Sequence, residues 1–116
     1  MWKTFTLVLL AGATMLAADV TGKWSGHVET DAGSGSPSFA FKQSGETLTG
    51  TYSGQLGEAP ISGTVKGDDI EFSFKATPQG ETVTVIYRAK IIAPNKLKGT
   101  VDLGGLASGT FTAEKQ

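Results

Sequence analysis

The chain contains no cysteine and a single histidine, His27. The first absence excludes disulfide staples, thiolate metal ligands and a cysteine nucleophile. The second leaves one side chain whose ordinary pKa suits proton transfer near neutral pH. An excess of charge of either sign is also missing: ten basic and eleven acidic side chains leave a formal net charge of −1, and the basic ones are spread singly. Phosphate-backbone recognition needs a basic face, so nucleic acid is excluded as a partner. From Asp19 onward no helical period is present, so there is no basic amphipathic helix and no membrane partner for that part of the chain.

The one continuous apolar stretch lies at the N-terminus. Lys3 supplies a positive start and Thr4 to Leu16 an apolar run too short to span a bilayer. Residues 1–18 therefore read as a secretory signal peptide, with cleavage between Ala18 and Asp19. Leu16, third before the cut, lets the site slip by one residue. The expectation is an exported protein, periplasmic or extracellular, whose residues 19–116 form a single domain able to bury one core without staples.

What the chain does have is a repeated phrase, apolar–x–Gly–Thr–apolar. It occurs at Leu48 to Tyr52, Ile61 to Val65, Leu97 to Val101 and, in the form Ala-Ser-Gly-Thr-Phe, at Ala107 to Phe111. A looser copy, Gly22 to Gly26, opens the folded part. Side chains alternate along an extended chain, so each phrase presents apolar–Gly–apolar on its inner row. An inner-row glycine leaves room for a sharp bend or a bulky neighbour. The same alternation runs through Lys23–Thr30, Ser38–Gln43, Thr47–Ser53, Ile61–Lys66, Asp69–Ala76, Thr82–Ile92, Lys96–Leu103 and Ser108–Glu114.

Eight strands joined by short connections predict an all-β fold, an eight-stranded antiparallel up-and-down meander closed into a barrel. A two-sheet sandwich is the rival arrangement, disfavoured because it needs longer crossovers. The longer connections, 31–37, 54–60, 77–81 and 104–107, must gather at one mouth. They carry two apolar residues, Leu56 and Leu106, either capping the core or touching a ligand.

At Gly22-Lys23-Trp24 and at Leu48 to Tyr52 the chain resembles the calycin barrels, the avidins and lipocalins, which open with Gly-x-Trp. Biotin binding is not implied, because beyond Trp24 residues 19–116 hold no further tryptophan. From Gly22 to Ala113 the chain is also similar to a family of small exported bacterial domains that occur alone or appended to hydrolases. Phe39 to Gly50 and Gly67 to Phe72 carry that likeness. It implies an accessory or binding role and offers no catalytic residues.

A search for chemistry finds no constellation. His27 lies on an outer row without a nucleophile beside it. Asp68-Asp69 follow Gly67 in a hairpin where aspartate suits the turn. Glu29 and Asp31 supply too few oxygens for calcium, and His27 with Glu29 too few ligands for zinc. The reading is a non-catalytic protein without metal or cofactor. Two arrangements of the interior are open. Phenylalanines opposite glycines, Phe72 facing Gly26 among them, fill the barrel. Alternatively, a shallow apolar cavity lies below the mouth, with Trp24, Tyr52 and Tyr87 orienting a small apolar ligand and Leu56 and Leu106 at its rim. Two other roles fit an exported barrel. One is inhibition of an exported protease by an inserted Asp19-Val20-Thr21 tail. The other is a structural contact with an exported protein partner through Ile86 and Ile92.

Overall fold

Alternating burial is what turns this sequence into sheet. In Asp69–Ala76, Ile70, Phe72, Phe74 and Ala76 are buried while the residues between them face out. A computed structural model describes residues 19–77 and 80–116. The segment read from the sequence as a signal peptide, residues 1–18, lies outside the described residues. The strands are β1 (Gly22–Thr30), β2 (Gly33–Gly35), β3 (Ser38–Ser44), β4 (Thr47–Gly54), β5 (Gly57–Lys66), β6 (Asp69–Ala76), β7 (Val83–Ala93), β8 (Lys96–Leu103) and β9 (Ser108–Lys115). Consecutive strands from β3 to β9 pair antiparallel, β1 pairs with β3, and β9 returns to β1. The all-β, up-and-down barrel of eight staves is closed by seven residue pairs, from Gly109↔Thr30 to Lys115↔Trp24.

The second stave is interrupted. β2 and β3 keep one register against β1, Val28↔Gly35 continuing as Trp24↔Phe39, and the gap at Ser36-Pro37 is bridged by Gly26 N–H donating to Pro37 O at 2.8 Å. Two connections expected to be loops are largely strand. Residues 31–37 contain β2, and 54–60 contain the start of β5, so the turns themselves shrink to Asp31-Ala32 and Gln55-Leu56. Their Gly- and Ser-rich composition reads as loop because it offers no apolar alternation. The backbone pairs regardless. Pro60 fits in a strand here because β5 has a partner on one side only at that level: it opposes Thr51 of β4, whereas pairing with β6 begins at Ser62.

The interior is a single cluster. Phe39 packs its ring on Phe41, Tyr52, Phe72, Tyr87 and Phe111, with centroids 5.4–5.8 Å apart. Phe72 and Tyr87 stack at 4.9 Å, and Tyr52 on Phe74 at 4.2 Å. Large-opposite-small filling is present, but with other partners than the spacing suggested. A Cβ on Gly26 would come within 2.9 Å of Phe39 Cε2 and 3.3 Å of Phe111 Cε1, so those rings, not Phe72, lie over it. At Gly50, Gly63, Gly99 and Gly109, the glycines of the four repeated phrases, a Cβ would run into a backbone carbonyl of the paired strand: that of Ala40, Glu71, Arg88 or Glu29. These glycines let one strand bend closely over the next.

The base of the barrel is plugged by the short segment that leads into β1. Val20 is buried, its N–H donates to Gln43 Oε1 at 2.9 Å, and its carbonyl accepts the Trp24 indole N–H at 2.9 Å. Thr21 Oγ1 accepts from Gln43 N–H. The segment considered for insertion into a protease is thus held by the barrel itself. Its only outlying piece is Asp19, whose carboxyl is held below the ordinary value mainly by hydrogen bonding from Thr21.

Candidate functional site

Aromatic filling stops short of the mouth, where a cavity of about 450 Å³ opens. Its deepest lining comes from Val28, Val85, Tyr52 and Tyr87, each less than a tenth exposed. These residues sit there because β1, β4 and β7 all turn an inner-row residue toward the same level. One wall is β2 with Ser36 and Pro37; Leu56, Leu103 and Leu106 stand around the rim. Leu106 is 66% exposed and lies in the β8–β9 turn, held by its N–H donating to Leu103 O and by Gly105 N–H donating to Asp102 Oδ1.

Four of the residues singled out from the sequence, Tyr52, Tyr87, Leu56 and Leu106, line this one cavity. Trp24 does not. It is fully buried, does not line the cavity, and its indole N–H is already taken by Val20 O in the plug at the base. Alternation placed Trp24 on the inner row correctly; the level along the barrel axis depends on register, which a single strand does not reveal. Pro37, Gln55 and Val85 also line the cavity. Pro37 and Gln55 fall in stretches whose composition signals only a loop, and Val85 carried no polar feature to mark it out from the core.

The wall has a notch. β2 pairs with β1 alone, because β4 turns away at Gln55-Leu56 before it reaches that level. The Gln55 amide lies across the gap, 3.4 Å from where a Cβ of Gly35 would stand. Among the described residues no charged side chain lines the cavity. The available polar groups are therefore neutral: the two phenols, the Gln55 amide, and the hydroxyls and backbone of residues 30–36. Tyr52 Oη accepts the Leu56 N–H at 3.4 Å. Among the described residues the Tyr87 hydroxyl has no hydrogen-bond partner, although Tyr87 is only 2% exposed.

Burial of both phenols has a measurable consequence. It pushes the Tyr87 hydroxyl far above the ordinary phenol value of 10.0, with the nearby Tyr52 adding to the shift. Burial also raises Tyr52, partly offset by the Leu56 N–H. Raised folded-state values mean that the unfolded chain loses its phenol protons first, so this contribution to stability is complete below pH 10.0 and is lost as pH rises above it. Because these are the chain's only tyrosines, the tyrosinate absorbance band is expected to stay flat through the normal phenol range and to appear together with loss of circular dichroism. A simple titration at the free-phenol value would contradict the packing.

Elsewhere the polar chemistry is dispersed on the outer wall. His27 Nε2 and Glu29 Oε2 lie 2.7 Å apart on side chains more than half exposed, and neither lines the cavity. Arg88 pairs with Glu71, Lys90 with Asp69 and Lys96 with Glu114, all at exposed positions where such pairs add little stability. Among the described residues no three His, Asp or Glu side chains converge on one point.

Fold and cavity together define the class: a small closed antiparallel β-barrel with an apolar pocket at one mouth. No family model matches the chain, and no curated protein matches it. Among solved structures, a redesigned β-barrel is similar, with a TM-score of 0.69 at 17% identity over 84% of this chain and 91% of that one. That likeness concerns the fold alone.

Proposed function

We propose that this protein is an exported, non-catalytic barrel of the calycin-like kind that holds a small apolar molecule in its mouth cavity. The observation that carries the reading is the cavity of about 450 Å³, uncharged and lined by apolar side chains with two phenols at its floor. That volume lies within the range of small-molecule sites, roughly 300–1,000 Å³. Its design matches theirs: an apolar surround with a few polar groups to fix orientation. The absence of catalysis is supported by the position of His27, whose ring faces away from the cavity on the outer wall. Export rests on the sequence of residues 1–18.

The test is direct. Native mass spectrometry of the full-length chain, purified without detergent, is expected to show either a co-purified small molecule or, after addition, a 1:1 complex with 1-octanol. NMR titration should place the octanol shifts on Val28, Val85 and Tyr87. Ala107→Leu, which adds three carbons to the cavity wall at a position less than a tenth exposed, is expected to keep the circular dichroism spectrum and weaken octanol at least fivefold. Absence of any bound molecule, or shifts confined to the outer wall, would remove the reading.

A further inference from the structure

The cavity itself is uncharged, but the mouth around it is not. Glu29, Asp31, Glu58, Glu81 and Asp102 each lie in, or within two residues of, one of the four mouth turns, and all are exposed. Among the described residues Lys75 is the only basic one at a comparable position. The other lysines of residues 19–116 and Arg88 lie lower on the wall or at the base. Five of the eleven carboxylates thus stand at the mouth with one lysine, while the other six share the lower wall and base with the remaining eight basic residues of 19–116, so the mouth is the net-anionic end. Among the described residues Asp31, Glu58, Glu81 and Asp102 have no ion-pair partner, and Glu29 has only His27. A collar of like charge costs repulsion, which a bound cation relieves.

The second observation lies inside the cavity. Tyr87 is 2% exposed, lines the cavity and has an unpartnered hydroxyl among the described residues. An unpaired buried hydroxyl at a cavity wall calls for a partner inside the cavity, a water trapped beneath a ligand included. Deep polar point, apolar wall and anionic rim are stacked along one axis. We infer that the ligand is a cationic amphiphile, an apolar body seated against Val28, Val85 and Leu103 with its ammonium or amidinium group at the carboxylate collar. This deepens the small-molecule reading of the same cavity and rests on it.

A neutral molecule would fill the cavity but leave the collar unrelieved; a carboxylate would meet five charges of its own sign. Exposed charges act across water, so the preference is long-range and salt-sensitive and adds to, but does not replace, apolar burial. Matched ligands separate these contributions. 1-Octylamine, 1-octanol and octanoate share one chain and differ in head-group charge.

Calorimetric titration of the full-length protein at neutral pH is expected to rank them amine, alcohol, acid. The amine should bind about threefold to tenfold tighter than the alcohol at about 0.02 M salt, and the gap should close at about 0.5 M. The double variant Asp31→Asn, Glu58→Gln, at two exposed positions without ion-pair partners among the described residues, should at least halve the low-salt amine advantage while leaving octanol affinity unchanged. Equal, salt-independent affinities for amine and alcohol, or tighter octanoate, would overturn the cationic assignment and leave the apolar-ligand reading standing. If none of the three binds, that reading falls as well.

Discussion

Gly109→Ala is expected to lose about 3 kcal/mol of stability or more. Gly109 belongs to the last strand and opposes Thr30 across the seam where β9 returns to β1. A methyl group there would collide with the Glu29 carbonyl and come within 2.7 Å of the Thr30 Cα. These atoms belong to backbone, which cannot rotate aside as a side chain can. Overpacking in a core typically costs about 1–3 kcal/mol, and relief here requires the seam itself to separate, so the cost should reach or exceed the top of that range. Against a total stability of about 5–15 kcal/mol, that is a large fraction. Urea denaturation followed by circular dichroism is the measurement. Gly45→Ala makes the control, because a Cβ there meets nothing within 4 Å and faces only the strain of φ +63°. Its cost should be about 1 kcal/mol. A Gly109→Ala midpoint as high as that of Gly45→Ala would show that the seam is not tight.

Phe39→Ala is expected to cost about 3–5 kcal/mol, the range for removing a buried aromatic ring. Phe39 is 2% exposed and is the ring on which five others converge. Its deletion removes area from water-exclusion and also leaves Gly26, which has no side chain, facing a void. The neighbours that could fill that void are themselves held: Phe72 by its stack on Tyr87, and Phe41 by its contact with Phe72 and Trp24. Relaxation is therefore poor and the loss should fall toward the upper part of the range. Phe39→Leu, which keeps most of the volume, should cost no more than roughly 1.5 kcal/mol. Thermal unfolding of the two variants side by side is the check; equal losses would mean that ring geometry, not volume, governs the site.

Strand positions and faces were legible because alternation is a local property. Ile70, Phe72 and Phe74, read as inward from their spacing, are all buried, and so are Leu48, Val65, Val85, Leu97 and Phe111. Closure was legible too, from strand number and short connections. Axial level and cross-barrel partners were not, because both depend on register summed around eight staves. Hence Trp24 belongs to the plug at the base, away from Tyr52 and Tyr87, and Gly26 is covered by Phe39 and Phe111. The wall at residues 33–35 and 57–60 was hidden for a different reason: those strands are held by backbone pairing and carry almost no apolar pattern. Residues 33–35 form one wall of the cavity, beyond the level where the aromatic filling ends. Val20 was likewise invisible as a core residue; nothing in Asp19-Val20-Thr21 indicates that Gln43, more than twenty residues away, will hold it.

The short second strand decides how this protein meets its own copies at high concentration. Among the described residues the staves are paired on both sides along most of their length; the start of β5, blunted by Pro60, lacks a β6 partner, and β2 has one edge free throughout. That edge is three residues long, composed of Gly33, Ser34 and Gly35, and ends at Ser36-Pro37 with the Gln55 amide across it. Templated addition of another chain needs a longer, flatter run with apolar side chains to interlock. The folded barrel therefore has no growing end, and cross-β assembly must begin from molecules whose seam has opened. Fibril formation should then track the unfolded population, accelerating in Gly109→Ala and remaining slow in any variant that keeps β9 on β1.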